Sequence, residues 1–237
     1  MAFLINSDIA SVEAPTSASI TVSLDSGSAA TNKAAYFGIA WQDATGGITV
    51  SRATYNGDPV AIVAQDADVP NRSSGTAVLR LIDPADGDNA LSVTFSGAPD
   101  SVIMACASFR EVSQNPATIE NAVLESAPGA TTSPYNRNIV TTVDECAILS
   151  WAVTNAHDFL GGGGDLTEQV FETLDDVNDY QGSLSTQDGA GAAGGRALSV
   201  GLGRRYNVID VAIAPPDSSP PQPETVDVGQ VAEADQP

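Results

Sequence analysis

The chain has 237 residues, of which 42% are hydrophobic, so it is long enough and apolar enough to bury a core. Acidic residues outnumber basic residues by 30 to 9, which gives a net charge of -21. Because binding to phosphate groups needs clustered Lys or Arg, this charge excludes nucleic acid and an anionic membrane surface as expected partners. No apolar run approaches the ~18 residues of a membrane span. The start of the chain, MAFLINSDIA, lacks the basic and apolar regions of a signal peptide, so we expect synthesis in the cytoplasm.

Residues 1–16 begin with the apolar triplet Phe3-Leu4-Ile5, continue as a polar stretch, and are predicted to form an extended N-terminal arm. Beyond them, period-two alternation and β-branched residues, bounded by Gly, Asn, Asp and Pro, predict a first set of strands. These strands are residues 17–24, 34–42, 48–55, 60–64, 76–82, 90–95 and 102–109. In the first of them, Ile20 and Val22 share one face and Thr21 lies on the other.

A polar stretch with three prolines, residues 111–137, is predicted to be a crossover, with helix limited to an optional turn near residues 115–125. A second set of strands is predicted at residues 138–143, 147–154, 166–173, 181–186, 196–201 and 207–214. The two sets echo each other weakly, because AAYFGIAW parallels CAILSWAV and GTAVLRLI parallels GRALSVGL.

These elements predict an all-β chain with one two-layer antiparallel β-sandwich of the jelly-roll type over residues 17–214. The composition then changes, since six of the last 23 residues are proline. Proline restricts a chain to extended conformations, so residues 215–237 are predicted to form an extended acidic tail.

The sandwich core is expected to hold the large side chains of mid-strand positions, facing the opposite sheet. These are Trp41, Phe95, Phe109, Trp151 and Ile213. Cys106 and Cys146 lie in apolar runs, and two cysteines are no disulfide framework for a chain of this length. Buried free thiols are therefore expected, with a bridge between neighbouring strands as the alternative.

Residue patterns that could support catalysis are few. His157 is the only histidine, and next to Asp158 it is interpreted as a polar residue at a strand end. Ser199 lies inside a predicted strand and lacks the first Gly of a nucleophile elbow. The run Gly161-Gly162-Gly163-Gly164 lacks the Lys of a phosphate-binding loop and is interpreted as a hairpin tip. We therefore expect no enzymatic activity, no catalytic residue and no cofactor.

Metal binding is also not expected. One histidine and two buried thiols cannot supply a zinc site. Carboxylates at short spacing can hold calcium, and two loops have such spacing. These loops contain Asp83, Asp86 and Asp88, and Asp175, Asp176 and Asp179. Neither loop has the spacing of an EF-hand, and Asp is common in turns, so both are interpreted as turns.

Several short motifs of the strands and their turns occur together. They are GIAWQD at residues 38–43, ATYNG at 53–57 with Pro59-Val60, LIDP at 81–84, VTFSGAP at 93–99 and VAIAP at 211–215. In these motifs, residues 34–215 resemble a sandwich module of tailed-phage virion proteins and bacterial extracellular proteins. The resemblance implies a sandwich fold, and no site residues carry over from it because the module occurs in adhesive, surface and structural contexts.

The bacterial examples look secreted and multidomain, whereas this module lies between two short arms without a signal peptide. The resemblance therefore implies a virion protein made in the host cytoplasm, namely a capsid decoration or cement protein. Its expected partners are the major capsid protein, other virion proteins or a second copy of the chain. The alternatives are a phage tail or fibre component and a carbohydrate-binding adhesin module. The residues predicted to contact the partner are Phe3, Leu4, Ile5, Pro215, Pro216, Pro220, Pro221, Glu224 and Asp227.

Overall fold

In a computed structural model of the chain, the described residues form seventeen β-strands and no helix. The structure describes residues 3–13, 17–24, 32–43, 46–66, 74–115, 121–127, 135–141, 143–154, 162–164, 166–174, 180–189, 192–200 and 206–216.

The strands fall into two groups along the chain. The first group is β1 (Phe3–Glu13), β2 (Ser17–Leu24), β3 (Ala34–Gln42), β4 (Val50–Tyr55), β5 (Asp58–Pro59), β6 (Ala61–Asp66), β7 (Ser74–Ile82), β8 (Gly87–Phe95) and β9 (Ser101–Arg110). The second group is β10 (Asn121–Ala127), β11 (Tyr135–Thr141), β12 (Ala147–Thr154), β13 (Gly162–Gly164), β14 (Thr167–Leu174), β15 (Tyr180–Gln187), β16 (Gly194–Val200) and β17 (Tyr206–Ile213).

Each group forms two antiparallel sheets. Sheet A has the strand order β1-β9-β3-β7-β6, and sheet B has the order β2-β8-β4-β5. Sheet C has the order β10-β17-β12-β15-β14, and sheet D has the order β11-β16-β13. The prediction of an all-β antiparallel sandwich fold is confirmed, and where the sequence predicted one pair of sheets the structure contains two.

The two groups repeat one topology. Sheets A and C match position by position, with β1, β9, β3, β7 and β6 corresponding to β10, β17, β12, β15 and β14. Sheets B and D match in the same way, and β5 is the one described strand without a counterpart. The sequence agrees, because GDNALSV at residues 87–93 and GGRALSV at residues 194–200 lie on the corresponding strands β8 and β16. The chain is therefore an internal duplication of one sandwich, with a first and a second half.

The sequence predicted two pairs of similar segments, and the structure confirms only one of them as corresponding strands. AAYFGIAW and CAILSWAV fall on β3 and β12, which correspond. The pairing of GTAVLRLI with GRALSVGL is wrong, because the first lies on β7, whose counterpart is β15, and the second begins on β16. Small and β-branched residues alternate in most strands of a sandwich, so a short apolar pattern does not by itself identify the matching strand.

Sheet A is covered on both faces. Its face towards sheet B contributes Phe37 and Trp41 to one core cluster, in which Phe37 lies 5.5 Å from Tyr55 between ring centroids. Its opposite face forms a second cluster with sheet C, to which it contributes Tyr36 and Phe109. Every residue of β3 is therefore buried, as expected for a strand covered on both sides. A third, smaller cluster joins sheets C and D, so the layers stack in the order B, A, C, D.

The layer between sheets A and C has approximate twofold symmetry. At one margin β1 packs against β14, and at the other β6 packs against β10. Since β1 corresponds to β10 and β6 to β14, each margin is the counterpart of the other. The two halves thus meet through the same surface, as the subunits of an isologous dimer do.

Trp151 is the largest side chain in this layer. It is fully buried, and its indole lies directly over Gly38 of β3, where a methyl group would overlap the ring. The indole Nε1–H donates a hydrogen bond of 3.2 Å to the carbonyl oxygen of Ile39. Glycine at position 38 is therefore required by close packing and not by a turn.

The layer between sheets C and D is much more polar. Ser150 lies between Asp210 and Ser185 in the register of the three central strands of sheet C, and all three are buried. They alternate with residues that face sheet A, so they lie on the face towards sheet D. On sheet A, the row that faces sheet B holds Met104, Ile39 and Ala77 instead. The second half is thus less apolar than the first in its own sandwich layer.

The predicted core is confirmed, since all five large side chains named from the sequence are buried. Cys106 and Cys146 are buried free thiols, also as predicted.

The predicted crossover over residues 111–137 is wrong at two places, because β10 and β11 are strands. The optional helical turn near residues 115–125 is wrong where it overlaps β10. Gly162–Gly164 forms β13 and pairs with β16, so these residues are not a hairpin tip. The sequences of β10 and β13 show no alternation of apolar and polar residues, so they gave no strand signal. Both are edge strands, which are held by pairing on one side and need few core side chains.

Removing the indole of Trp151 tests the packing between the halves. Trp151→Ala should lower the free energy of unfolding by about 3–5 kcal/mol, because it leaves a large cavity and removes the hydrogen bond to Ile39. Gly38→Ala should also destabilise, by about 1–3 kcal/mol, through overpacking against the ring. In the Trp151→Ala background the Gly38→Ala cost should largely disappear, as measured by urea denaturation of all four proteins. Additive costs would contradict the contact.

The same layer makes stability sensitive to alkaline pH. Burial raises the pKa of Tyr36 from 10.0 to about 12, with the nearby Arg80 guanidinium opposing part of that rise. Because the folded-state pKa is raised, this contribution to stability is complete below pH 10 and is lost as the pH rises from 10 to 12. Its full size is about 2–3 kcal/mol. Tyr36→Phe should therefore lose less stability than the wild-type chain between pH 9.5 and 11.5 in urea titrations, and parallel losses would contradict this.

Candidate binding surface

The apolar triplet of the predicted N-terminal arm lies at the start of β1, the edge strand of sheet A. In the register, Phe3 pairs with Arg110 and Leu4 with Phe109. Leu4 is half-buried against the cluster between sheets A and C, and its amide donates a hydrogen bond of 3.1 Å to Asp188 Oδ1. The arm is therefore extended, as predicted, but it is paired within the chain along residues 3–13. Leu4 is thus engaged by this chain itself, and partner binding by Phe3, Leu4 and Ile5 stays a prediction.

The predicted tail residues are described only at their beginning. Pro215 and Pro216 follow β17 and are half-buried. Just before them, the carbonyl oxygen of Ala214 accepts a hydrogen bond of 2.9 Å from the amide of Ser113. Pro220, Pro221, Glu224 and Asp227 lie outside the described residues, so their role in partner binding stays a prediction.

The first Asp-rich turn contains a cation from the chain itself. Lys33 Nζ lies 3.3 Å from Asp86 Oδ2 and 4.0 Å from Asp83 Oδ1. Asp83 has a positive φ of 47°, and its amide donates a hydrogen bond of 2.9 Å to the carbonyl oxygen of Lys33. Both carboxylates are thus paired with a cation of the chain itself, and they help to hold a turn.

The other residues considered for catalysis or metal binding are not brought together. Ser199 lies within strand β16. His157 and the second Asp-rich loop, residues 175–179, lie outside the described residues. In the part of the chain that the structure describes, no three His, Cys, Asp or Glu side chains form a group that could hold a metal ion.

Both tryptophans are fully buried. Trp41 packs edge-on against Phe95, with ring centroids 5.6 Å apart, and Trp151 lies between the halves. Neither can therefore stack on a sugar ring. Tyr135, Tyr180 and Tyr206 lie on three different strands at strand starts. The aromatic platform that a carbohydrate-binding adhesin would need is not supplied by either tryptophan.

A polar surface covers the outer face of sheet B. Thr21 of β2 is exposed, as its predicted alternation with Ile20 and Val22 requires. On the neighbouring strands Arg52, Thr54, Ser92 and Thr94 line an open depression of about 260 Å³. The register places Arg52 opposite Thr94 and Thr54 opposite Ser92, so the four side chains form two adjacent cross-strand pairs. We call this set the hydroxyl depression.

A β-bulge fixes the position of Arg52. The register of β4 against β8 shifts between Val50 and Arg52, so Ser51 is the extra residue. The Ser51 hydroxyl donates a hydrogen bond of 3.0 Å to the carbonyl oxygen of Thr94. The bulge keeps Val50 in the core while both Ser51 and Arg52 are exposed. The sequence carried a signal for this, since two consecutive polar residues between Val50 and Ala53 break the alternation of the strand.

Neither a protein-family model nor a curated protein nor a solved structure matches this chain. The described residues also include no helix with the length and apolar character of a membrane span. The resemblance to a phage virion module therefore remains a prediction from the sequence motifs.

Proposed function

We propose that this chain is a structural, non-catalytic component of a virion, and specifically a phage capsid decoration or cement protein. In this role it attaches to a shell of repeated subunits and acts through binding energy alone. The alternative placement is the tail or a fibre of the same kind of particle.

The observation that carries this proposal is the burial of sheet A on both faces. β3 is buried along its whole length, and the cluster between sheets A and C includes aromatic side chains of both halves. Apolar contact on the face towards sheet C couples the two sandwiches into one block, since separating them would expose Tyr36, Phe109 and Trp151 to water. A rigid block of this kind suits a protein that must hold a fixed position on a lattice.

The surface properties of the chain fit attachment to a protein shell. A net charge of -21 favours a basic surface as partner and opposes association between copies in free solution. The tail, residues 215–237, carries five Asp or Glu side chains and no basic residue. A tail joined to a bound sandwich acts at high effective concentration, so two weak contacts together give a much higher overall affinity.

The direct test is a search for the chain in particles. Virions purified from cells that carry this gene should contain the chain in a fixed ratio to the major capsid protein, measured by quantitative mass spectrometry. An icosahedral reconstruction should show it as added density at equivalent positions of the shell. Density confined to the tail would select the tail or fibre alternative. Absence of the chain from purified particles would overturn the proposal.

Deletion of the tail separates folding from attachment. A chain without residues 217–237 should keep the melting temperature of the full chain, because the described contacts of the C-terminal end stop at Ala214 and the two prolines after it. It should bind the particle at least about tenfold more weakly, and salt at about 0.5 M should weaken the full chain more than the truncated one. A matched control replaces the five tail acids by Asn or Gln. Equal attachment of full and truncated chains would show that the tail takes no part.

A further inference from the structure

Arg52 is an isolated cation on an acidic protein. Its side chain is exposed, and no described residue forms an ion pair or hydrogen bond with it. Two other described cations differ, since Lys33 is paired with Asp86 and Arg80 donates to the carbonyl oxygen of Ser113 at 2.6 Å. With 30 acidic residues against 9 basic ones, a surface arginine that pairs with no carboxylate among the described residues is unexpected from the charge of the chain.

The side chains around Arg52 can all make hydrogen bonds. Thr54, Ser92 and Thr94 add three hydroxyl groups to the guanidinium in the hydroxyl depression. A hydroxyl both donates and accepts, whereas the guanidinium only donates, in a planar fork that matches the two oxygens of a carboxylate. The depression thus offers one anion-binding group beside a polar lining.

The duplication provides an internal comparison. In the second half, β13 takes the place of β4 and consists of Gly162–Gly164. Gly163 pairs with Ser199 there, as Thr54 pairs with Ser92 in the first half. The fold therefore completes its outer sheet without any side chain at the position of Thr54. Pairing of the outer sheet thus does not by itself require threonine at position 54.

We propose that the hydroxyl depression binds a small monoanionic carboxylate that also carries hydroxyl groups, a sugar acid or hydroxy acid. Arg52 holds the carboxylate through its two-nitrogen edge, and Thr54 and Thr94 bind the hydroxyl groups. This inference is independent of the proposed attachment to a virion.

Charge and size select this ligand class. One guanidinium balances one negative charge, and each further negative charge on the ligand is repelled by a chain of net charge -21, so phosphate dianions are disfavoured. A volume of about 260 Å³ is larger than a carboxylate group and admits a body of one sugar ring. The lining is mostly polar, which favours a ligand body with hydroxyl groups over an apolar one.

The test compares three probes that separate the contribution of the carboxylate from that of the hydroxyl groups. Glucuronate carries the carboxylate and the hydroxyls, glucose carries only the hydroxyls, and acetate carries only the carboxylate. Titrations followed by amide chemical shifts of the full chain should show glucuronate binding with a Kd of about 1 mM, as expected for a shallow polar site with one charged contact. Shifts should concentrate on β4 and β8. Glucose and acetate should each bind at least about tenfold more weakly, and so should inorganic phosphate.

Variants assign the effect to the named residues. Arg52→Gln should weaken glucuronate binding at least about tenfold, and Arg52→Lys should recover only part of it because an ammonium lacks the fork. Thr54→Val should weaken glucuronate binding and leave acetate binding unchanged. Arg110→Gln removes the same charge from sheet A and is the matched control, which should bind as the wild-type chain does. Unchanged melting temperatures confirm that each substitution leaves the fold intact.

Two results would overturn the proposal. One is glucuronate binding that is no tighter than glucose binding in the wild-type chain. The other is an equal loss of affinity in Arg52→Gln and Arg110→Gln, which would show only general screening of the acidic surface.

Discussion

Burial of sheet A on both faces is the constraint on which the rest of the structure depends. A sheet covered on one side can alternate apolar and polar residues, but β3 is apolar or small from Ala34 to Trp41. Gly38 is the extreme case, because the indole of Trp151 occupies the space of its missing side chain. The hydrogen bond from that indole to Ile39 fixes the ring against the backbone of the other half. The two sandwiches consequently share one packed layer.

The duplication explains why the halves can differ while the fold stays the same. The approximate twofold relation is kept where the halves touch, through corresponding edges and corresponding central strands. Away from that layer the constraint is weaker, and the halves diverge. The first half has an aromatic core beneath sheet B and a hydroxyl-lined outer face. The second half has the polar row of Asp210, Ser150 and Ser185 between sheets C and D, and a glycine strand at its outer edge. The outer face can therefore diverge and gain a binding function without destabilising the fold.

Strands that are set by their own sequence pattern were predicted correctly, and strands that are set by pairing with other strands were not. Strands β3 and β12 were predicted with the bounds that the structure has, because both are apolar runs between clear turn residues. The buried tryptophans and thiols followed from the same runs. Strands β1, β10 and β13 were missed, since each lies at a sheet edge and has no alternation of its own. The hydroxyl depression could not be predicted from spacing, because Arg52 and Thr94 are 42 positions apart and only the register of β4 and β8 brings them together.

The shared layer between sheets A and C should make the two halves unfold as one unit, and single-tryptophan variants test this directly. Trp41→Phe leaves the indole of Trp151 between sheets A and C, and Trp151→Phe leaves that of Trp41 between sheets A and B. In a urea titration of each variant, tryptophan fluorescence and far-ultraviolet circular dichroism should give the same single transition. A fluorescence transition of Trp151 that precedes the loss of β-structure would show that the halves separate before they unfold, and would contradict the coupling of the two sandwiches.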